Sequence, residues 1–191
     1  MKTLRLLCPA LCVILLSGCA GFDISTDYDP SADFTDLKTW NWHPEPPQKT
    51  GDPRIDSNSL LAERIRKAIA NQLALQGYQQ TSSNPDFLVG WHASVEDKMD
   101  VQYVNNYYGY GHGFYGPCMG WSYWGGPSYA NTYAYYYEEG TLILDVITPK
   151  TNQLIWRGTA KKSVDGTASP EQKQKTIEEA VKKILAKFPP N

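Results

Sequence analysis

The chain has 191 residues, 41% of them hydrophobic, and a formal net charge of −2. That length supports one domain with a modest core and is short for two. The mildly acidic balance argues against nucleic acid as a partner, since its phosphates require a basic face.

The first stretch reads as an export signal. Two cations, Lys2 and Arg5, precede an apolar run from Leu6 to Leu16, the charged and hydrophobic regions of a secretory leader. Eleven apolar residues cannot cross a bilayer as a helix, which needs about 20. The run ends at Leu16-Ser17-Gly18-Cys19, which resembles the lipobox of bacterial lipoproteins. The resemblance implies cleavage before Cys19 and acylation of its thiol, palmitate among the chains, giving a signal peptide over 1–18 and one periplasmic domain over 19–191. Several acyl chains at one residue hold a protein to lipid far more firmly than one. Ala20 and Gly21 follow the cysteine in place of the aspartate that resembles an inner-membrane retention signal, so the expected address is the outer membrane. Loss of Lys2 and Arg5 would take the formal charge from −2 to −4. Cys8 and Cys12 would leave with the leader and Cys19 would be acylated, so Cys118 has no internal disulfide partner.

In the body, Phe22, Ile24 and Tyr28 alternate with Asp23, Ser25 and Asp27, the period of a strand with one buried face. Asp29-Pro30-Ser31 marks a turn. A second extended piece, Thr39-Trp40-Asn41-Trp42, puts two tryptophans on one side. Pro44 to Pro53 holds four prolines and one glycine and reads as an exposed connection, neither helix nor interior strand. A helix follows, capped by Asp56 or Ser57, with Leu61, Ile65, Ile69 and Leu73 on one face. Gly77 is placed to end it as the left-handed residue of a Schellman motif, with Tyr78 packing back on Leu73.

From Asn84-Pro85-Asp86 a strand is expected whose Phe87, Val89, Trp91, Ala93 and Val95 face the helices. Composition then changes. Between Tyr103 and Tyr137 lie eleven of the thirteen tyrosines and two of the six tryptophans, interleaved with glycine, and an insert is expected over about 100–138. Leu142 to Ile147 is apolar on nearly both faces, hence central. Thr148 to Gln153 turns, and Leu154 to Ala160 returns as its hairpin partner. Ser169, Pro170 and Gln172 form a capping box for a last helix, with Ile177, Val181, Ile184, Leu185 and Phe188 as its stripe before Pro189-Pro190. The expected fold is α+β in two layers, a mostly antiparallel sheet with two helices packed on one face plus a Gly/Tyr-rich insert.

With these elements placed, the body resembles a bacterial lipoprotein family catalogued as domain of unknown function 4136. The resemblance rests on Tyr28-Asp29-Pro30, Phe34, Leu37-Lys38-Thr39-Trp40, Ala74 to Tyr78, Asp86-Phe87-Leu88-Val89, Gly140 to Asp145, Trp156-Arg157-Gly158 and Ala180 to Pro189. It covers nearly all of the chain after Cys19. These motifs are structural, so the resemblance implies fold and location and carries over no catalytic residue; family members often have a glycine- and tyrosine-rich stretch as well.

Chemistry is sparse. Gly111-His112-Gly113-Phe114-Tyr115-Gly116 matches G-x-G-x-x-G, but Pro117 and more glycine stand where a helix N-terminus would have to hold the pyrophosphate. His112 and Cys118, with or without His92, match no established metal-ligand spacing. His92 and Ser94 share one side of a strand, yet no nucleophile turn or oxyanion loop accompanies them. Asp145 and Arg157 are expected to pair across the hairpin.

Neither enzyme activity nor a cofactor is expected. The candidate binding surface is the insert, with Tyr107, Tyr108, Tyr110, Tyr115, Trp121 and Trp124. As a flexible glycine-rich loop it would do little. As a contact surface its tyrosines would grip an envelope protein or stack on glycan rings; at a membrane interface they would settle among headgroups. The expected role is thus non-enzymatic binding or structure in the cell envelope. The rival is an enzyme, a hydrolase or transferase acting on the cell wall, and a third reading is a subunit that oligomerises through Cys118 or a strand edge.

Overall fold

The computed structural model describes residues 21–44, 49–50, 52–104 and 131–190, with side chains described outside 101–133. Cys19 and the aromatic residues at 107–124 lie outside them. Six strands and three helices follow in the order β1 (Asp23–Tyr28), β2 (Thr39–Trp42), α1 (Pro53–Asp56), α2 (Ser59–Leu75), β3 (Gln79–Gln80), β4 (Phe87–Val104), β5 (Asn131–Thr148), β6 (Gln153–Val164) and α3 (Pro170–Leu185). The strands form one sheet in the order β1-β6-β5-β4-β2-β3. The class is α+β, as expected.

The sheet is mixed. β1–β6, β5–β6 and β4–β5 pair antiparallel, whereas β2 runs parallel to both β3 and β4. The cause is α2, which separates β2 from β3 and so allows the chain to return in the same direction. The sequence reading missed β3, whose two residues are too few for any periodic signal. It placed the central strand well: the apolar run of β5 lies between β4 and β6.

Alternation selects the buried face. Phe87 and Val89 on β4, Leu142, Leu144 and Val146 on β5, and Trp156 and Ala160 on β6 join one core with Ile65, Ile69 and Leu73 of α2 and Val181, Ile184 and Leu185 of α3. Trp91 and Ala93 pack against that core half-buried. Trp40 is buried and its ring meets that of Trp42 edge to face at 4.9 Å, so the two tryptophans do share one side of β2.

Helix ends follow local chemistry. Asp56 and Ser57 do not cap α2. Instead Pro53 opens the single turn α1, with Asp52 as its cap accepting from the Arg54 N–H at 2.8 Å, so the proline-rich connection ends in helix. Asn58 then caps α2, its Oδ1 accepting from the Leu61 N–H at 3.0 Å. At the other end Gly77 has φ +92, Gly77 N–H donates to Ala74 O and Tyr78 N–H to Leu73 O, both at 3.0 Å, which is the expected Schellman pair. Gln76 Nε2 donates to Leu185 O at 2.8 Å, tying the end of α2 to that of α3. Ser169 and Gln172 form the capping box of α3.

The boundaries of the insert change most. β4 runs to Val104 and β5 begins at Asn131, paired without a register break from Leu88↔Ile147 to Val104↔Asn131. Residues 100–104 and 131–138, expected as insert, are strand. Tyr133, Tyr135 and Tyr137 recur at every second place, the strand period, but the unusual composition masked it.

Candidate binding surface

Cross-strand register divides the sheet into two faces. One carries the core. The other carries Gly90, His92, Ser94, Asp145, Arg157 and Lys161, opposed as Gly90↔Asp145↔Arg157 and Ser94↔Thr141↔Lys161. Arg157 grips Asp145 with both arms, Nε to Oδ1 and Nη2 to Oδ2, each 2.7 Å, the pair expected across the hairpin. That carboxylate, with Asp27 nearby, raises the guanidinium further above its already high range. His92 stands opposite Ile143, while the Asp145 carboxylate is committed to Arg157. Asp145 is thus held by Arg157 rather than by His92 or Ser94. His43, whose N–H donates to Val89 O, flanks Gly90 with Asp145 and places Nε2 2.9 Å from Asn152 Oδ1.

An open groove of about 840 Å³ lies at the turn end of the sheet, with Asp29, Asp33, Asp36, Asp86 and Lys150 on its walls. Three of its acids accept hydrogen bonds from nearby donors. Asp29 accepts from the Ser31 hydroxyl and N–H, and Asp33 from those of Thr35; Asp86 accepts from the hydroxyl and N–H of Thr39 and from the Lys38 N–H. These donors hold all three carboxyls below their usual range, as expected for hydrogen bonds to the charged form. Asp29 and Asp33 fasten turns, and Asp86 ties the start of β4 to that of β2. No group of three or more histidine, cysteine, aspartate or glutamate side chains that could hold a metal occurs among the described residues.

The opposite end is different. β6 stops pairing at Val164↔Glu138, whereas β4 and β5 continue from Lys98↔Tyr137 to Val104↔Asn131. They leave the body as a two-stranded ribbon. Met99, Tyr135 and Tyr136 are 57%, 64% and 71% exposed on it, and the rings of Tyr135 and Tyr137 stack at 6.2 Å. Arg54 braces its root, bonding Asp52 and reaching Glu138 of β5 at 2.6 Å. β1 begins at this same end, since Asp23 opposes Lys161, which opposes Thr141. Just before it, Phe22 lines an apolar cavity of about 130 Å³ with Leu61, Val95 and Leu142, and Lys162 Nζ stands 4.7 Å from its ring. The ribbon thus projects from the end at which the chain enters the sheet.

The predicted surface residues Tyr107, Tyr108, Tyr110, Tyr115, Trp121 and Trp124, and with them His112 and Cys118, lie outside the described residues. Sequence reasoning did not single out Met99, and it took Tyr135 and Tyr136 as part of the insert rather than of a strand.

A family model described as domain of unknown function (DUF4136) matches residues 24–190. The chain belongs to that family. No curated protein matches it. Among solved structures it is similar to a PDZ domain protein from Parabacteroides distasonis, with a TM-score of 0.52, 14% identity, and 88% of this chain covered. The chain spans 35% of that protein, so the likeness concerns fold. Two structures of the PelC dodecamer from Paraburkholderia phytofirmans align over 87% of this chain and 95% and 96% of theirs, at 8% and 10% identity and TM-scores of 0.42 and 0.45. Those scores are too low for any inference about function or assembly. Among the described residues no helix is long and apolar enough to cross a membrane.

Proposed function

We propose that the protein is an outer-membrane lipoprotein anchored through Cys19, with a non-enzymatic binding or structural role in the cell envelope. Its body is two layers, α2 and α3 on one face of the sheet, and it faces the periplasm. The observation that carries the reading is the leader ending in Leu16-Ser17-Gly18-Cys19, four positions before Asp23 opens β1. At about 3.5 Å per residue that tether can span at most about 14 Å. An anchor so short holds the ribbon end of the sheet near lipid, and the insert beyond 104 then meets membrane-proximal partners, protein or glycan, through its tyrosines and tryptophans. A non-catalytic role is favoured by the commitment of the Asp145 carboxylate to both arms of Arg157.

Labelling cells with radioactive palmitate tests the anchor. The full chain should take up label and fractionate with outer membranes, while Cys19→Ala should lose both; label persisting on Cys19→Ala, or absent from the natural chain, would overturn the reading. Capture of envelope components tests the insert. The variant should replace residues 105–130 by Asn-Gly, a pair suited to a two-residue hairpin turn, since removal of Tyr103 to Tyr137 would also strip seven pairs from the β4–β5 ladder. A partner retained only by the complete insert supports recognition there. Equal capture by both forms would overturn it.

A further inference from the structure

We infer that two copies of this chain pair edge to edge along β4, antiparallel, about a two-fold axis at Met99. β4 pairs with β2 only over Phe87 to Val89. From Gly90 to Val104, among the described residues, its outer edge has no strand beside it. Edges of this length are templates for a further strand, and folds usually blunt them with bulges, proline or repelling charge. β4 has no bulge against β5 and no proline, its charges Glu96, Asp97, Lys98 and Asp100 are of mixed sign, and α1 and the residues around it lie beside Trp91 and Ala93, short of Met99. The ribbon it forms with β5 is also a two-stranded element, marginal in water without a third strand or a packed face.

Charge picks the occupant. In a two-fold antiparallel pair, each residue opposes its mirror position about the axis. An axis at Glu96, Asp97 or Asp100 opposes a carboxylate to itself, and one at Lys98 opposes an ammonium to itself. Axes at Val95 and Val101 also avoid like charges, but the axis at Met99 in addition opposes Lys98 to the partner's Asp100, twice, so that Lys98, paired within its own chain to Glu96, stands between two carboxylates. One face of the resulting four strands then reads Tyr137, Lys98, the partner's Asp100 and the partner's Tyr135. On the other face Met99 meets the partner's Met99, flanked by Tyr136 on each side, a thioether and ring combination that is favourable. Met99 and Tyr136 thereby line one face of the four strands and Tyr135 the other. β5 offers a poorer edge. Its free stretch is confined to residues 131–137, and a strand running past Tyr137 would meet the end of β6 at Val164.

The pairing does not depend on lipidation, and cysteine cross-linking of the full chain in membranes tests it. In a Cys118→Ser background, itself required to give no dimer, Met99→Cys should form a disulfide-linked dimer on oxidation, because residues opposed on an antiparallel pair have Cα atoms about 4.5 to 5.5 Å apart, within disulfide reach. Asp97→Cys should not, since four residues of offset separate the two thiols by about 14 Å. Lys98→Glu in the Met99→Cys protein should cut the yield several-fold, and adding Asp100→Lys should restore it. Equal cross-linking at positions 97 and 99, no dimer from a folded Met99→Cys protein, or no rescue by the charge swap would each overturn the proposal.

Discussion

A Cβ on Gly158 would overlap Cγ2 of Ile184 and stand 2.5 Å from Cη2 of Trp156. The indole of Trp156, 1% exposed, folds across the next inward position of its own strand, and α3 closes over it. Glycine at 158 makes room for both. Gly158→Ala should therefore destabilise the protein by about 2 kcal/mol, the usual cost of overpacking a tight core. Urea unfolding measures it; an unchanged midpoint would show that α3 can shift outward.

Gly77 contrasts with it. No atom lies within 4 Å of a Cβ built there, so only its φ of +92 resists a side chain. Gly77→Ala should cost about 1 kcal/mol through backbone strain, and Gly77→Asn less, since asparagine tolerates left-handed conformations. Thermal unfolding of the two variants should rank them in that order.

Phe188 is the hub of an aromatic cluster. Its ring lies 5.1 Å from Trp156, 5.6 Å from Phe87, 5.7 Å from Tyr78 and 6.1 Å from Phe34. It stands beyond the end of α3, its N–H bonded to Leu185 O at 3.0 Å. Phe188→Ala should cost about 3 to 5 kcal/mol, the range for a buried phenylalanine. Loss of near-ultraviolet circular dichroism should accompany it, because four other rings lose a neighbour.

Asp86 joins two parallel strands at their starts through the Thr39 hydroxyl and the N–H groups of Thr39 and Lys38. Its carboxyl pKa is lowered in the folded protein. The stabilisation is therefore present above the unfolded value, about 3.9, and is lost as pH falls through the lower folded value. Asp86→Asn should be less stable than the natural chain at neutral pH, and the gap should close as pH falls below about 4. A gap independent of pH would show that shape, not charge, holds this corner.

Local signals were legible wherever one residue type does one job. The Gly77 stop, the Ser169 capping box, the alternation of β5 and the Asp145–Arg157 pair depend on neighbours close in sequence or on a short hairpin register, and each stands as expected. The cap of α2 moved to Asn58 because a single helical turn at Pro53–Asp56 intervened, a choice among adjacent cap formers that local sequence leaves nearly degenerate. Residues 100–104 and 131–138 were misread for another reason: tyrosine and glycine content outweighed a period of two that was present. Of the candidate surface, the part beyond 104 was legible only as composition.

By itself the sequence determined the helix stripes and the strand alternation, since these are properties of spacing along one chain. Tertiary structure decided the rest. That β2 pairs parallel with β4, that Phe188 sits among four rings, and that Gly158 yields its space to Trp156 and Ile184 depend on residues far apart in sequence. The short pairing of β4 with β2, Phe87 to Val89 among the described residues, belongs with them, because which strand lies beside another is set by the fold, and no residue within the strand encodes its neighbours.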